Sequence, residues 1–337
     1  MQTLTCSNPG VFTYEERDKP ILIEGYTILK INRLGLCGTD YHAFRGTQPY
    51  FNYPRILGHE IAAVVSETST SSGYSVGELV TVIPYYHCGT CIACRKGKTN
   101  CCVDMKVCGV HIDGAMQEYF LVKDEAIIKG RGLTADELAL VEPLAIGAHG
   151  IARAGIAKDE YVLVIGAGPI GLTTMNFANI AAAKVIAVDV NEARLSFCVE
   201  QLGVAHVINA AHENVVERLR EITGGDMPTV MIDCTGNLEV INSAVAYMAH
   251  GARLVLIGLQ KEAIVINHPE FHKREGTLMS SRNAFVGDFE FVIDCIEKGL
   301  VKPLDFITHR IKFSAVGDRF EELMDPKNGV IKALIEF

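Results

Sequence analysis

The stretch Tyr161-Val162-Leu163-Val164-Ile165-Gly166-Ala167-Gly168-Pro169-Ile170-Gly171 decides how the second half of the chain is read. A strand-length apolar run enters a G-x-G-x-x-G turn that opens a helix. Gly166 permits the tight turn, Gly168 lets the backbone approach a pyrophosphate, and Gly171 lets helix and strand pack closely. The helix N-terminus then offers unpaired N–H groups and the positive end of its dipole to phosphates. A glycine-rich turn alone says little. Here the next strand, KVIAVD, ends in Asp189, 18 residues past Gly171, where a carboxylate can bind both hydroxyls of an adenosine ribose. Strand, turn, helix, strand and acid together imply a Rossmann nucleotide-binding unit, with Gly166, Gly168, Pro169, Ile170, Gly171 and Asp189 as candidate cofactor contacts. Asp189 would repel a 2′-phosphate, so NAD is expected over NADP. Arg194 complicates this, since a nearby arginine can serve NADP; it also reads as a helix-surface charge or a stack on adenine.

Outward from this turn, strand-length apolar runs alternate with helical patterns: YVLVI, KVIAVD, HVIN, TVMID, RLVLIG and TLMSS. Between them Ile170–Ala183, Glu192–Leu202, Val215–Thr223 and Leu238–Ala249 carry helix-spaced apolar residues. That succession predicts an α/β fold, a doubly wound parallel sheet with helices on both faces. Before Glu142 the chain is β-rich, with alternating stretches at Thr27–Leu34, Ile61–Glu67 and Glu78–Ile83 and a loop at Thr68–Ser75. After Ser281 a helix near Asp288–Lys298 and short strands make a tail too short for a domain, expected to pack back onto the first.

The 337 residues suffice for two domains. Lys and Arg number 31 against 40 Asp and Glu, a net charge of −9, which leaves no electrostatic footprint for nucleic acid or an anionic membrane. The start MQTLTCSNPG lacks a basic-then-apolar signal, and no apolar run reaches the ~20 residues of a bilayer span, so a soluble, cytoplasmic protein is expected. In that compartment the 11 cysteines are expected as thiols. Cys198, Cys234 and Cys295 read as small core residues.

Cys88, Cys91, Cys94 and Cys102 form C-x2-C-x2-C-x7-C in a polar loop, although Cys101 fits the last place on spacing alone. Four thiolates close a tetrahedral shell and leave no position for substrate, so this reads as a structural zinc site. A second metal candidate is dispersed: Cys37 in GLCGTDYH, His59-Glu60 in ILGHE and Glu142 in VEPLAIGAHG. Singly, each has a plain structural explanation: a core cysteine, a satisfied core histidine, an acid facing a helix dipole. Beside a nicotinamide site the combination gains meaning, because hydride transfer from an alcohol needs a group that stabilises the alkoxide.

GLCGTDYH, PRILGHE, HCGTCIACRKGKTNCC, GAMQEY, VEPLAIGAHG and VLVIGAGPIGL occur in the order and at the intervals of the zinc-dependent medium-chain dehydrogenases. The resemblance spans essentially the whole chain. It implies a β-rich GroES-like catalytic domain over residues 1–146, a Rossmann NAD-binding domain over 147–283, and a C-terminal segment, 284–337, returning to the catalytic domain. It further implies two zinc ions per subunit, NAD, a small-molecule alcohol substrate and a homo-oligomer, dimer or tetramer. By the same resemblance Cys37 and His59 match catalytic zinc ligands, and Cys88, Cys91, Cys94 and Cys102 the structural quartet, which decides against Cys101. Thr39 matches the hydroxyl that takes the alcohol proton and His42 the histidine that passes it to solvent. Ile170, Asp189, Arg194, Ile257, Gly258 and Leu259 match cofactor contacts. The chain departs from liver-type alcohol dehydrogenases at Glu142, where those carry a third cysteine. It looks more like the polyol, threonine and glucose dehydrogenase branch, in which Glu60 or the acid matching Glu142 approaches the metal. Glu60 is the expected ligand, because it adjoins His59 on one rigid turn.

Within that branch FNYPRILGHE, GVHIDGAMQEY and HPEFHKREGTLMSSRNA (residues 268–284) resemble bacterial L-galactonate dehydrogenases, with sorbitol and galactitol-1-phosphate dehydrogenases as competitors. The expected partner is therefore a sugar acid or polyol. Lys273, Arg274 and Arg282 are candidates to pair with a carboxylate or phosphate, Arg282 first. Lys273 and Arg274 read equally well as surface charge. A non-catalytic relative on this fold should have lost part of the constellation, yet Cys37, Thr39, His42, His59 and Glu60 are all present.

Overall fold

Strand Tyr26–Gly35 carries the chain to Cys37, and the first unit is assembled around it. The computed structural model describes residues 1–337, in two units: Met1–Glu142 with Phe285–Phe337, and Pro143–Ala284. The divisions fall at 142/143 and 284/285, where 146/147 and 283/284 were expected. Helix Val141–Ala154 begins in one unit and continues in the other, so no loop marks the passage for sequence periodicity to detect.

In the first unit a seven-stranded sheet runs Ile127–Lys129, Leu79–Val82, Glu60–Glu67, Tyr26–Gly35, Lys332–Glu336, Ile307–Lys312, with Tyr119–Lys123 also paired to Tyr26–Gly35. A three-stranded sheet sets Gln2–Asn8 between Val11–Glu16 and Arg55–Ile56. Strand Tyr26–Gly35 is buried on both faces for much of its length: Thr27, Ile28 and Leu29 are all buried, as are Ile31 and Leu34, while Lys30 is exposed. The C-terminal segment returns as strand Lys332–Glu336, antiparallel to Tyr26–Gly35 with Leu334 opposite Gly35. Helix Val316–Met324 precedes it and drives Phe320 into the core against Phe12, Tyr41 and Phe44, with ring centroids 4.9 to 5.3 Å apart. The expected helix near Asp288–Lys298 spans Val286–Glu297, its start closed by Asp288, which accepts from Phe285 N at 3.0 Å.

The second unit holds six parallel strands. By position along the chain their order is third, second, first, fourth, fifth, sixth: His206–Asn209, Lys184–Asp189, Tyr161–Ile165, Val230–Asp233, Arg253–Leu256, Thr277–Ser280. This is the doubly wound Rossmann order, and its reversal lies beside Tyr161–Ile165, the strand that delivers the glycine-rich turn. Leu163, Ile186, Ile208, Leu219, Met231 and Leu254 form its core. The helices expected over Ile170–Ala183 and Glu192–Leu202 stop at Ile180 and Glu200, and Leu238–Ala249 is shortened most: it is an α-helix only over Leu238–Ser243, followed by a 3-10 turn at Ala244–Tyr247. The tighter winding aligns residues three apart, and Val245 and Met248 are both buried in this core. No helix in either unit is long and apolar enough to cross a membrane.

Phe320 is fully buried, and its loss would leave a cavity where the C-terminal segment meets the first unit. Phe320→Ala should therefore cost about 3–5 kcal/mol. Chemical denaturation followed by tyrosine fluorescence, to which the first unit contributes most of the tyrosines, checks this; a loss under about 1 kcal/mol would mean the segment is not integral to that core.

Candidate metal centres and cofactor site

Cys37 caps the start of helix Gly38–Phe44, and His59 and Glu60 stand where strand Glu60–Glu67 begins. One ligand atom from each of Cys37, His59 and Glu60 falls within 4.8 Å of the others. Asp40 organises this meeting. Its buried carboxylate accepts from Cys37 N at 2.9 Å and from Gly58 N at 3.2 Å, tying the cysteine turn to the histidine turn. Asp40 Oδ1 also lies 3.8 Å from His59 Nδ1, a buried nitrogen with no hydrogen-bond partner. At that separation the carboxylate attracts the imidazole by charge without a hydrogen bond to fix the ring.

Glu142 is near but outside this group: the buried Tyr85 hydroxyl donates to its Oε1. Glu60 faces a different partner, Lys332, whose Nζ lies 2.6 and 2.8 Å from its two oxygens and 3.1 Å from Leu36 O. Asp40, Glu60 and Glu142 are at most 4% exposed, and Lys332 is 3% exposed. Acids thus outnumber the fixed buried cation, and the proton affinities register it. Burial, with the Glu60 charge adding and His59 opposing, pushes the Glu142 carboxyl up to about 7. Burial alone would strip the proton from His59, yet the charges of Asp40 and Cys37 outweigh it and hold the imidazole well above its ordinary range. A pocket that pulls a proton onto a buried histidine suits a divalent cation, and thiolate, imidazole and carboxylate make a zinc-type donor set.

The cysteine loop offers a second set. The sulfurs of Cys88, Cys91, Cys94 and Cys102 lie within 4.8 Å of one another. Backbone N–H groups point at them: Cys88 N to Cys102 Sγ at 3.2 Å, Cys91 N to Cys88 Sγ at 3.3 Å and Asp104 N to Cys102 Sγ at 3.4 Å. Such donors favour thiolate, and those of Thr90 and Cys91 hold the Cys88 thiol down at about 6. Cys101 is exposed and outside the group, and all 11 cysteines are free thiols.

In the second unit Gly166 adopts φ +96°, and a Cβ on Gly171 would lie 1.7 Å from Gly166 O. Nothing lies within 4 Å of a Cβ built on Gly168, which leaves its face of the turn open for a phosphate. Asp189 is anchored to this turn: its Oδ2 accepts from Ala167 N at 2.6 Å and its Oδ1 from Asn191 N at 2.8 Å. Arg194 donates to Ala167 O at 3.3 Å, so its guanidinium sits on the same turn. Ile257 and Gly258 follow strand Arg253–Leu256 and donate to Asp233 O at 2.9 and 3.1 Å; exposed Leu259 comes next.

Thr39 and His42 lie one turn apart on helix Gly38–Phe44, half-buried and exposed respectively. His42 Nδ1 is 2.9 Å from Thr47 Oγ1. Lys273 and Arg274 both pair with Glu270, and Arg274 also donates to Met248 O, so their charge is spent on the helix His268–Lys273 and its neighbours. Arg282 is exposed just past strand Thr277–Ser280. Four residues that shape these sites were missed from the sequence. Asp40 had a signal, an acid three residues past the cysteine in C-G-T-D, and Asp233 another, an acid ending a Rossmann strand as Asp189 does. Tyr85 and Lys332 had none.

Comparison with known proteins bears on the family and the fold. Residues 169–298 match the family model of the zinc-binding dehydrogenases, and residues 24–132 that of the alcohol dehydrogenase GroES-like domain. The chain is 38% identical to L-galactonate-5-dehydrogenase of Escherichia coli K12, over 100% of this chain and 99% of that one. It is 29% identical to 2-dehydro-3-deoxy-L-galactonate 5-dehydrogenase of Pseudoalteromonas atlantica, over 94% and 95% of the two chains. An E. coli CFT073 alcohol dehydrogenase solved with NADH superposes with a TM-score of 0.92 at 31% identity, over 100% of this chain and 99% of that one.

If the cysteine quartet serves the fold, Cys94→Ser should lose one metal equivalent and several degrees of melting temperature, because structural zinc contributes folding free energy. Metal analysis with thermal melts checks it; an equally stable variant lacking that metal would refute the structural role.

Proposed function

The chain belongs to the zinc-dependent medium-chain alcohol dehydrogenases, and on that premise we propose that it oxidises the C5 hydroxyl of L-galactonate to the ketone of D-tagaturonate, with NAD as hydride acceptor. The family works on alcohols, polyols and sugar acids with zinc and NAD(P). The observation that carries the narrower substrate is the 38% identity to L-galactonate-5-dehydrogenase, which runs the full length of the chain. NAD is preferred because Asp189 is locked to the turn at Ala167 and Asn191, a negative charge that cannot swing away from a 2′-phosphate. The free cysteines fit a reducing cytoplasm, and we expect a homo-oligomer there.

Cys37, His59 and Glu60 would hold zinc, which supplies Lewis acidity at the substrate hydroxyl, and the Gly166–Gly171 turn with Asp189 would hold NAD, which supplies the hydride acceptor. Asp40 fixes the Cys37 and Gly58 turns and places its charge 3.8 Å from His59 Nδ1. Tyr85 holds Glu142 by a hydrogen bond, so Glu142 tunes the site from behind rather than entering it first. The Thr39 hydroxyl takes the alcohol proton and His42, one turn on and exposed, passes it to water. Thr47 keeps the His42 ring in place at 2.9 Å.

The loop Gln48–Tyr53 offers amides, hydroxyls and aromatic faces to a polyhydroxy chain. Tyr50 is 58% exposed and stacks on His111 with ring centroids 6.4 Å apart. For the substrate's own carboxylate we assign Arg282, whose planar fork binds such a group bidentately.

An NAD-reduction screen across aldonates, alditols and alditol phosphates tests the substrate. L-Galactonate should give the highest kcat/KM, and faster turnover of sorbitol or galactitol 1-phosphate would overturn the reading. Arg282→Lys should lower kcat/KM for sugar acids by ~10-fold or more while sparing neutral alditols of equal length. Equal losses on both would assign Arg282 to cofactor or fold. Asp189→Ser should raise KM for NAD and lower it for NADP, narrowing the preference between them. A native enzyme that prefers NADP would mean Arg194 governs the choice.

A further inference from the structure

Lys332 is a buried ammonium whose three donors are spent on the metal-site wall: both Glu60 oxygens and Leu36 O, the carbonyl one residue before Cys37. It arrives from the far end of the chain, on strand Lys332–Glu336, whose Leu334 pairs with Gly35. Gly35 completes the recess: a Cβ there would lie 2.0 Å from Glu60 Oε2, so only glycine leaves room for the carboxylate where Lys332 meets it. The ammonium and a metal at Cys37 and His59 would therefore draw on one carboxylate from two sides.

We propose that Lys332 competes with the catalytic metal for Glu60, acting as an internal counter-cation that weakens Glu60 as a ligand and keeps the site exchangeable. The inference rests on the reading of Cys37, His59 and Glu60 as the catalytic metal site. In the metal-free protein Lys332 offsets the Glu60 charge. Without it, a buried unpaired carboxylate remains, which is costly, and a divalent cation becomes the group that relieves it. Removing Lys332 thus destabilises the metal-free form more than the loaded one, and by linkage the metal binds tighter. A lysine that served only to anchor the C-terminal strand would act with opposite sign, since a loosened wall releases metal faster. Catalytic zinc sites keep a position open for substrate. A carboxylate shared with an ammonium is a weaker donor than one the metal has to itself, which keeps that position available.

The test is Lys332→Met in the full-length, two-zinc protein, read by transfer of the second zinc, the one at Cys37 and His59, to a chelator, by the visible spectrum after cobalt exchange at that site, and by melting with and without that second metal. Transfer should slow by about 10-fold, the metal-free melting point should fall, and the metal-induced rise in melting point should grow. The cobalt bands should weaken toward higher coordination as Glu60 donates fully. Lys332→Arg, which keeps the charge, should restore wild-type values. Faster metal loss in Lys332→Met, or unchanged retention, overturns the proposal. If that variant does not fold, Glu60→Gln with and without Lys332→Met decides: the second substitution should leave metal retention unchanged, and a remaining effect refutes competition for Glu60. Failure of the underlying reading looks different, as a wild-type second metal that survives Cys37→Ser.

Discussion

Asp40, Glu60 and Glu142 converge, almost wholly buried, on a thiol and an imidazole, with Lys332 as the buried fixed cation among them. Each ion removed from water costs several kcal/mol even after the protein relaxes, and a single ammonium offsets one carboxylate. The rest is carried by hydrogen bonds and by a demand for further positive charge. Asp40 spends its charge on two backbone N–H groups, Glu142 accepts from Tyr85, and His59 is pressed to keep a proton. This concentration of acid makes the first unit a place for a divalent ion, and it explains why three distant stretches of chain must close on one point.

The same device recurs at the nucleotide turn. Asp189 accepts from Ala167 and Asn191, and Asp233 accepts from Thr235 and Gly236 at 3.2 and 3.0 Å. In all three cases an acid at the end of a regular element accepts backbone N–H groups, which fixes both the loop and the carboxylate. Bonded to two amides, the Asp189 carboxylate is held in one place on the turn. Arg194, bonded to Ala167 O, is held on the same turn. The backbone of the turn thus fixes where both the carboxylate and the guanidinium stand.

How much of this was legible in the sequence follows from how local each cause is. The six parallel strands lie where the apolar runs placed them, and Val215–Thr223 ends where expected, because Gly224 stops it in the left-handed region at φ +67°. The cysteine cluster was legible because its donors come from one loop, but spacing alone left Cys101 and Cys102 open for the last place, and in the structure Cys102 joins the group. The helix Leu238–Ser243 ended early because tertiary packing, which periodicity does not see, chose a tighter turn. The domain boundary was displaced because helix Val141–Ala154 runs through it without a break. Single-sequence patterning reports what neighbours along the chain do together.

Tyr85 and Lys332 mark the limit of that legibility. Lys332 and Glu60 are 272 residues apart, and nothing in VIKALIEF distinguishes this lysine from a charge at the rim of a strand. Alternation even argues against it, since a lysine flanked by apolar residues is ordinarily the exposed one. What reverses the expectation is position in the sheet: strand Lys332–Glu336 is paired at both edges, by Ile307–Lys312 and Tyr26–Gly35, and Lys332, Ala333, Leu334 and Ile335 are all buried, so side chains on both its faces are covered. A central strand tolerates a charge only where a partner waits, and Glu60 is that partner. The tail therefore does more than shield the catalytic unit; it carries the counter-charge that a buried acid at the metal site requires.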